Sequence, residues 1–530
     1  MNLYKLNLAD IPQLSSRDLA YVNEIAALRP FYKYPVQIDS FEDIIKHKSK
    51  ERFDRQLLEK TLKQQYSSIS TSKSVEDNIA FISDKNTYTV VTAHQPSLMT
   101  GPAYYFYKIF SVINLANQLS KKLSNYRVIP IFILGGEDHD FEEINHFSLY
   151  GKRFSWESDQ KGSVGKFKLD AGFDAMLNDF FTVLGSSEAS MEFKQEVQKF
   201  RDNSQTYGQF AFQLTNYLFK DLGLVVLDMS APSLKAAFKS YILEEVIETP
   251  SYSHVENAQG ALRKIKLKPQ ATAREINFFY TGDGGRNRLI KENGHYAVTN
   301  TEISFTQEEL LSAITNRPED FSPNVVMRPI FQESILPNLA YVGGGGEIAY
   351  WLERKSQFEH FNLNFPMLIR RNSGMVIDKG SLKKMSKLEL SLHDLFAPED
   401  FVINAFLSRK DQKNLDFDTE LGSIDQVFQS IAEKASQFDA TLKPKVLSEG
   451  KKIFKQTQQL ASRVKRAAKQ NEEVSISQIR NIKAKLFPGQ GLQERKESFL
   501  GMYLKYGPEI FETLVPYFNP LEKSMVVMEE

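Results

Sequence analysis

Residues 128–146 read VIPIFILGGEDHDFEEINH. A run of apolar and β-branched residues stops at Gly135 and Gly136 and gives way to five carboxylates and two histidines: Glu137, Asp138, His139, Asp140, Glu142, Glu143 and His146. An apolar run of this length, closed by glycines, predicts a strand buried on both faces, as in parallel sheets. Open α/β sheets bind ligands in the crevice beyond the carboxyl ends of such strands. Acid and imidazole groups placed there are positioned to move protons or hold charge.

Working outward, the chain alternates strand-like and helix-like segments up to about Ser373. TYTVVT (87–92) predicts a strand, and AHQPSLMTG (93–101) a loop. A helix is expected from Pro102, with Thr100 as its cap and Tyr105, Ile109, Val112, Ile113, Ala116 and Leu119 on one face. With 128–134 as the next strand this is a right-handed βαβ unit. Helix over 195–220, strand over 222–228, helix over 234–247, helix over 347–361 and a strand in FPMLIRR continue the alternation. The fold class expected is α/β, a doubly wound parallel sheet. Two insertions, at about 146–190 and 249–323, interrupt it; the second carries the turn clusters GDGGRN and KENGH between the short strands NFFYTG, RLIKE and YAVTN.

From about Lys379 the pattern becomes helical. Ile424, Val427, Ile431, Ala435 and Phe438, then Leu442, Val446, Ile453, Leu460, Val464 and Ala467, recur at three-four spacing and predict a helical hairpin or coiled coil, a frequent dimerisation device. Pro444 marks the start of its second helix. KMSK at 384–387 matches a loop that binds ATP phosphates in one synthetase class, but Leu382, Met385, Leu388 and Leu392 place it on a helix. The expected domains are a core over 1–372, a helical coiled-coil domain over 373–486, and a tail over 487–530 packed on the core.

Composition narrows the function. Lys plus Arg and Asp plus Glu both number 66, so the formal charge is zero and no nucleic-acid partner is indicated. The chain has no cysteine, which excludes disulfides, thiolate zinc sites and a cysteine nucleophile. The polar start and the lack of any bilayer-length apolar run lead to the expectation of a soluble cytoplasmic protein without membrane partners.

Two further blocks carry chemistry, the first at the same sheet edge as the acidic segment. In the first loop His94, Gln95 and the helix start at Thr100 and Gly101 offer an anion site, with Lys108 two turns on able to reach back. In 325–351, four glycines (343–346) precede Glu347 and a helix, where backbone N–H groups can cradle an anion or form a hinge; the spacing fits neither a Walker A loop nor a dinucleotide fingerprint. Asn145, Arg328 and Glu347 join Gln95, Thr100, Gly101 and Lys108 as candidate substrate-binding residues. His139, Asp140, Glu143 and His146 suit a metal by ligand type, but without a recognised spacing no metal site is assigned.

HQPSLMTGPAYYFYK (94–108), GGEDHDFEEINH (135–146), RPIFQESILPNLAYVGGGGEIAYW (328–351), FPMLIRRNS (365–373) and LQER (492–495) together resemble the BshC family, the cysteine-adding enzymes of bacillithiol biosynthesis. Two departures stand out: Ala93 where the family commonly has glycine, and Gly345 where proline is common. The resemblance implies a Rossmann-like core similar to class I nucleotidyltransferases and a coiled coil that forms a homodimer. The implied reaction joins the carboxylate of cysteine to the amine of glucosaminyl malate, with ATP, and with Mg²⁺ as its companion ion, activating the acid.

On that reading His94 and Gln95 hold a phosphate or carboxylate, Asp138 or His139 takes the proton from the amine, and Glu137 and Asp140 bind the incoming ammonium or magnesium. Gly343, Gly344, Gly346, Gln493 and Arg495 are the expected nucleotide-binding set. Two other readings stay open: a metal-dependent hydrolase built on 137–143, and a non-catalytic assembly subunit whose working part is the hairpin.

Overall fold

The structure, a computed structural model, describes residues 1–282, 284–411 and 417–530. Asp283 of the GDGGRN turn and 412–416 of the expected helical domain lie outside the described residues. Two compact units form: Leu3–Met375 with Glu494–Met528, and Val376–Gln493 with the two chain ends.

The larger unit is built on five parallel strands, β1 (Thr87–His94), β2 (Arg127–Leu134), β3 (Val225–Leu227), β4 (Asn338–Gly343) and β5 (Met367–Arg370), in the order β5-β4-β1-β2-β3. Every residue of β4 and β5 is buried, as are all of β1 except His94 and all of β2 except Arg127. That burial is why these strands read as apolar runs rather than alternating patterns. Helix α1 (Tyr104–Lys122) crosses over between β1 and β2, and its Phe106 and Phe110 pack on Phe219, Phe499 and Phe511. Each such ring contributes about 1.5–3 kcal/mol by leaving water.

Several expected elements divide. The helix expected over 195–220 is two, Glu188–Asn203 and Tyr207–Phe219, because Thr206 and Gln209 form a capping box that restarts the chain. The helix expected over 347–361 is also two, α2 (Gly345–Trp351) and α3 (Lys355–His360). The first insertion holds an antiparallel hairpin, His146–Leu149 with Lys152–Ser155. The second holds an antiparallel sheet in which Phe278–Tyr280 pairs with Asn287–Glu292 on one side and Phe321–Pro323 on the other.

The smaller unit is helical. KMSK lies inside the helix Lys379–Lys387, with Met385 buried. Helices α4 (Asp418–Phe438) and α5 (Leu442–Asn471) form the hairpin; their turn is held by the Thr441 N–H donating to Asp439 Oδ1 at 2.8 Å. Its inner seam is not the one the spacing named. Phe428 packs over Gly450, where a Cβ would meet the Phe428 Cβ at 2.8 Å, and Ala432 and Ala461 are buried. Val427, Ile431, Phe438, Ile453, Leu460 and Val464 are exposed.

Candidate active site

The carboxyl ends of the strands finish level, with His94 opposite Leu134 and Gly343 opposite Arg370. From β1 the chain builds β2 and β3 on one side, then returns to the other side for β4 and β5, so the strand order reverses between β1 and β4. Beyond these ends lies a cleft of about 570 Å³, within the size range of small-ligand sites.

His94 ends β1, its Nδ1 3.0 Å from the Gln95 carbonyl and its Nε2 3.1 Å from the Tyr104 hydroxyl. The carbonyl can only accept, so Nδ1 carries the proton and Nε2 accepts from Tyr104. Burial first, and then the Lys108 ammonium, bring this imidazole down to about 4, so it is neutral at pH 7. Gln95 donates its amide to Asp138 Oδ2 at 2.8 Å and to Glu143 Oε2 at 3.1 Å, which brings the first loop and the acidic segment together.

Burial would raise the Asp138 carboxyl, but the Arg286 charge, the Gln95 amide and the His139 backbone N–H favour its ionised form and hold it below the usual carboxylate range. It is therefore a firm anion and a weak proton acceptor. His139 Nδ1 lies 2.8 Å from Arg286 Nη1 and 3.5 Å from Asp138 Oδ1. A guanidinium only donates, so Nδ1 accepts from Arg286 and has no proton to give Asp138.

Other expected site residues already have partners within the protein. Glu137 is paired with Lys235, whose Nζ donates at 2.7 Å from a fully buried side chain, so its charge is already matched by the protein. Asp140 is exposed and caps the short helix Phe141–Ile144 through the Glu143 N–H. Asn145 bonds to His146 Nδ1 and accepts the Trp156 N–H on its carbonyl, away from the cleft wall. Lys108 is buried against Glu347, 2.8 Å from Oε2, and cannot reach a ligand. Glu347 also accepts from the Tyr341 hydroxyl and the Gly344 N–H. Burial opposes its ionisation, yet Lys108 and these donors bring it down to about 2.

The helix start expected to bind an anion is closed. Thr100 and Gly101 take φ of 66° and 57°, the helix begins at Tyr104, and Thr100 does not cap it. Their N–H groups donate to the Ser97 and Leu98 carbonyls, and the Ala103 N–H to Glu497. Gln493 is likewise occupied, bonding the Val376 backbone through both amide atoms.

The anion-binding features lie instead on β4 and β5. Gly343 ends β4 and Gly344 is the N-cap of α2; among the described residues the Gly345 and Gly346 N–H groups have no protein acceptor. Arg371, one residue past β5, pairs through its Nη atoms with Glu494 at 2.8 and 3.2 Å, while its buried Nε has no partner. Arg328, held by the Tyr350 hydroxyl at 2.8 Å, and Arg495 also line the cleft. One wall is thus acidic (Asp138, Glu143) and the other carries guanidinium and N–H donors.

Sequence reading missed Arg286, Lys235 and Tyr104. Arg286 had a signal, a lone cation in a glycine turn; Lys235 had one in its place on an otherwise apolar helix face. Among the described residues no group of three or more His, Asp and Glu is placed to hold a metal. No helix among them is long and apolar enough to cross a membrane.

Fold and cleft define the class: a Rossmann-like α/β protein with a two-signed small-molecule site at its switch point and a separate helical unit. The chain belongs to the BshC family. Residues 1–372 match the family model "Bacillithiol biosynthesis BshC, N-terminal Rossmann-like domain", and 374–530 match "Bacillithiol biosynthesis BshC, C-terminal coiled-coil domain". The "Putative cysteine ligase BshC" of Flavobacterium johnsoniae is 36% identical over 96% of each chain. That of Flavobacterium psychrophilum is 35% identical over 96% of each. That of Bacillus cytotoxicus is 27% identical, covering 93% of this chain and 94% of its own.

Proposed function

We propose that this protein is a cysteine ligase, forming the amide bond between the carboxylate of cysteine and the amine of glucosaminyl malate in the last step of bacillithiol biosynthesis. Family membership supports the reaction class, and one observation carries the placement: a single cleft has an anionic wall for an ammonium and a cationic wall for a carboxylate or phosphate. The Asp138 carboxylate, fixed by Gln95, binds the incoming amine as its ammonium; its low basicity suits it to that role better than to taking the proton that the nitrogen must lose to another base or to water before it attacks.

Amide formation from a free carboxylate is uphill in water, so ATP is proposed as the co-substrate. When bound, it supplies the leaving group that the acid lacks. The unpartnered Arg371 Nε, the Gly345 and Gly346 N–H groups and Arg495 fit a phosphate or carboxylate oxygen. Glu137 and Asp140 do not fit magnesium, being bound to Lys235 and to a helix end, so that ion would enter only with the nucleotide's phosphates.

A cytoplasmic homodimer completes the proposal. The apolar stripe left exposed on α4 and α5 is its support. The test is mass spectrometry of purified protein given cysteine, glucosaminyl malate and ATP. The expected result is bacillithiol with AMP or ADP in equal amount; absence of the thiol product with ATP intact would sink the reading.

A further inference from the structure

Arg286 belongs to the second insertion, yet its guanidinium is fixed at the mouth of the cleft by four contacts. Its plane lies over the Phe279 ring, 3.8 Å from the centroid. Its Nε donates to Ser322 Oγ at 3.3 Å, Nη2 to the Pro323 carbonyl at 3.3 Å, and Nη1 to His139 Nδ1 at 2.8 Å. The stacking and the two contacts on the adjacent strand hold the fork, so the His139 ring meets a donor it cannot displace. Asp138 Oδ1, at 3.5 Å from the same ring nitrogen, is the competing partner.

We propose that Arg286 is a positioning residue for the cleft: by donating to His139 Nδ1 it keeps that nitrogen unprotonated, so His139 is a neutral Nε2–H donor and Asp138 stays free for a cationic substrate group. Without Arg286 the ring proton would sit on Nδ1 and be donated to Asp138, occupying the carboxylate that faces the ligand. The charged groups around His139 are Asp138 on its own loop and Arg286 from the insertion. Glu137, matched by Lys235, is among the charges acting on Arg286. The inference rests on the proposed ammonium-binding role of Asp138 only for its catalytic consequence; the tautomer stands by itself.

The first test needs no substrate. In ¹⁵N-histidine-labelled protein, with the His139 signals assigned by loss in His139→Gln, the wild type is expected to show an unprotonated Nδ1 and a protonated Nε2 at pH 7. In Arg286→Leu the proton is expected to move to Nδ1, and Arg286→Lys should restore part of the wild-type tautomer. Where ligase activity is measured, Arg286→Leu should raise KM for the amine substrate by about 10-fold with a smaller change in kcat. A proton on Nδ1 in the wild type, or an unchanged His139 tautomer in a folded Arg286→Leu protein, would overturn the inference. Loss of the ligase reaction in wild type with the expected tautomer present would count against the proposed function alone.

Discussion

At the scale of single residues the cleft separates groups by charge state. Asp138 receives the Gln95 amide and two backbone N–H groups, and this network holds it ionised. Replacing it with asparagine keeps the shape and removes the charge, so Asp138→Asn should lower kcat/KM for the amine by about 10- to 100-fold, the loss of one charge-assisted hydrogen bond of about 1.5–3 kcal/mol. An unchanged KM would remove Asp138 from the ammonium site. His94 supplies a second prediction through pH. Its folded value is lowered from 6.5 to about 4, so between those values the unfolded chain binds more protons than the native one. Stability is then full above about pH 6.5 and falls as pH drops toward 4, by at most about 3 kcal/mol and less where solvent screens the ring. Denaturant unfolding at pH 7 and pH 4.5 should show a smaller loss in His94→Gln than in wild type; equal losses would mean that another group carries the dependence.

At the scale of elements, the glycine run illustrates what the sequence could and could not say. Its four residues announced a backbone turn at a strand end, and the turn is there. Which glycines are needed was not legible, because it depends on Asp18, over three hundred positions away. A Cβ on Gly345 would sit 2.4 Å from Asp18 Oδ2, a carboxylate buried against Arg370, whereas a Cβ on Gly346 meets nothing within 4 Å. Thermal unfolding should show Gly345→Ala destabilised by about 1–3 kcal/mol through overpacking. Gly346→Ala should be neutral or more stable by about 0.4–1 kcal/mol, through reduced unfolded-state entropy. Equal effects would mean that Asp18 yields. The same limit governed the acidic segment: residue types and their place at the end of β2 were readable, but the pairing of Glu137 with Lys235, the capping by Asp140 and the approach of Arg286 are long-range or geometric. The expected anion site at Thr100 and Gly101 failed for a local reason, since left-handed backbone at both residues turns their N–H groups onto neighbouring carbonyls.

At the scale of the whole molecule, periodicity identified the parallel core because buried strands must be apolar along their length, and it identified the hairpin because helices repeat their faces. It could not tell which face of the hairpin meets its own partner helix. Inside the hairpin Ala432 and Ala461 are buried and Gly450 packs on Phe428, leaving Val427, Ile431, Ile453, Leu460 and Val464 at least 41% exposed on helices of 21 and 30 residues. The longer helix extends about 45 Å at 1.5 Å per residue, enough to present an interface of standard size of about 1,600 Å² with a second copy. Outward apolar side chains are costly in water and are explained if such a copy covers them. Analytical ultracentrifugation is expected to find a dimer, and the double variant Ile431→Glu with Leu460→Glu should sediment as a folded monomer, since both positions are exposed within the single hairpin and a carboxylate there disturbs only what lies outside it. A dimer that survives both substitutions would place the interface elsewhere, and a monomeric wild type would leave the stripe to a different protein.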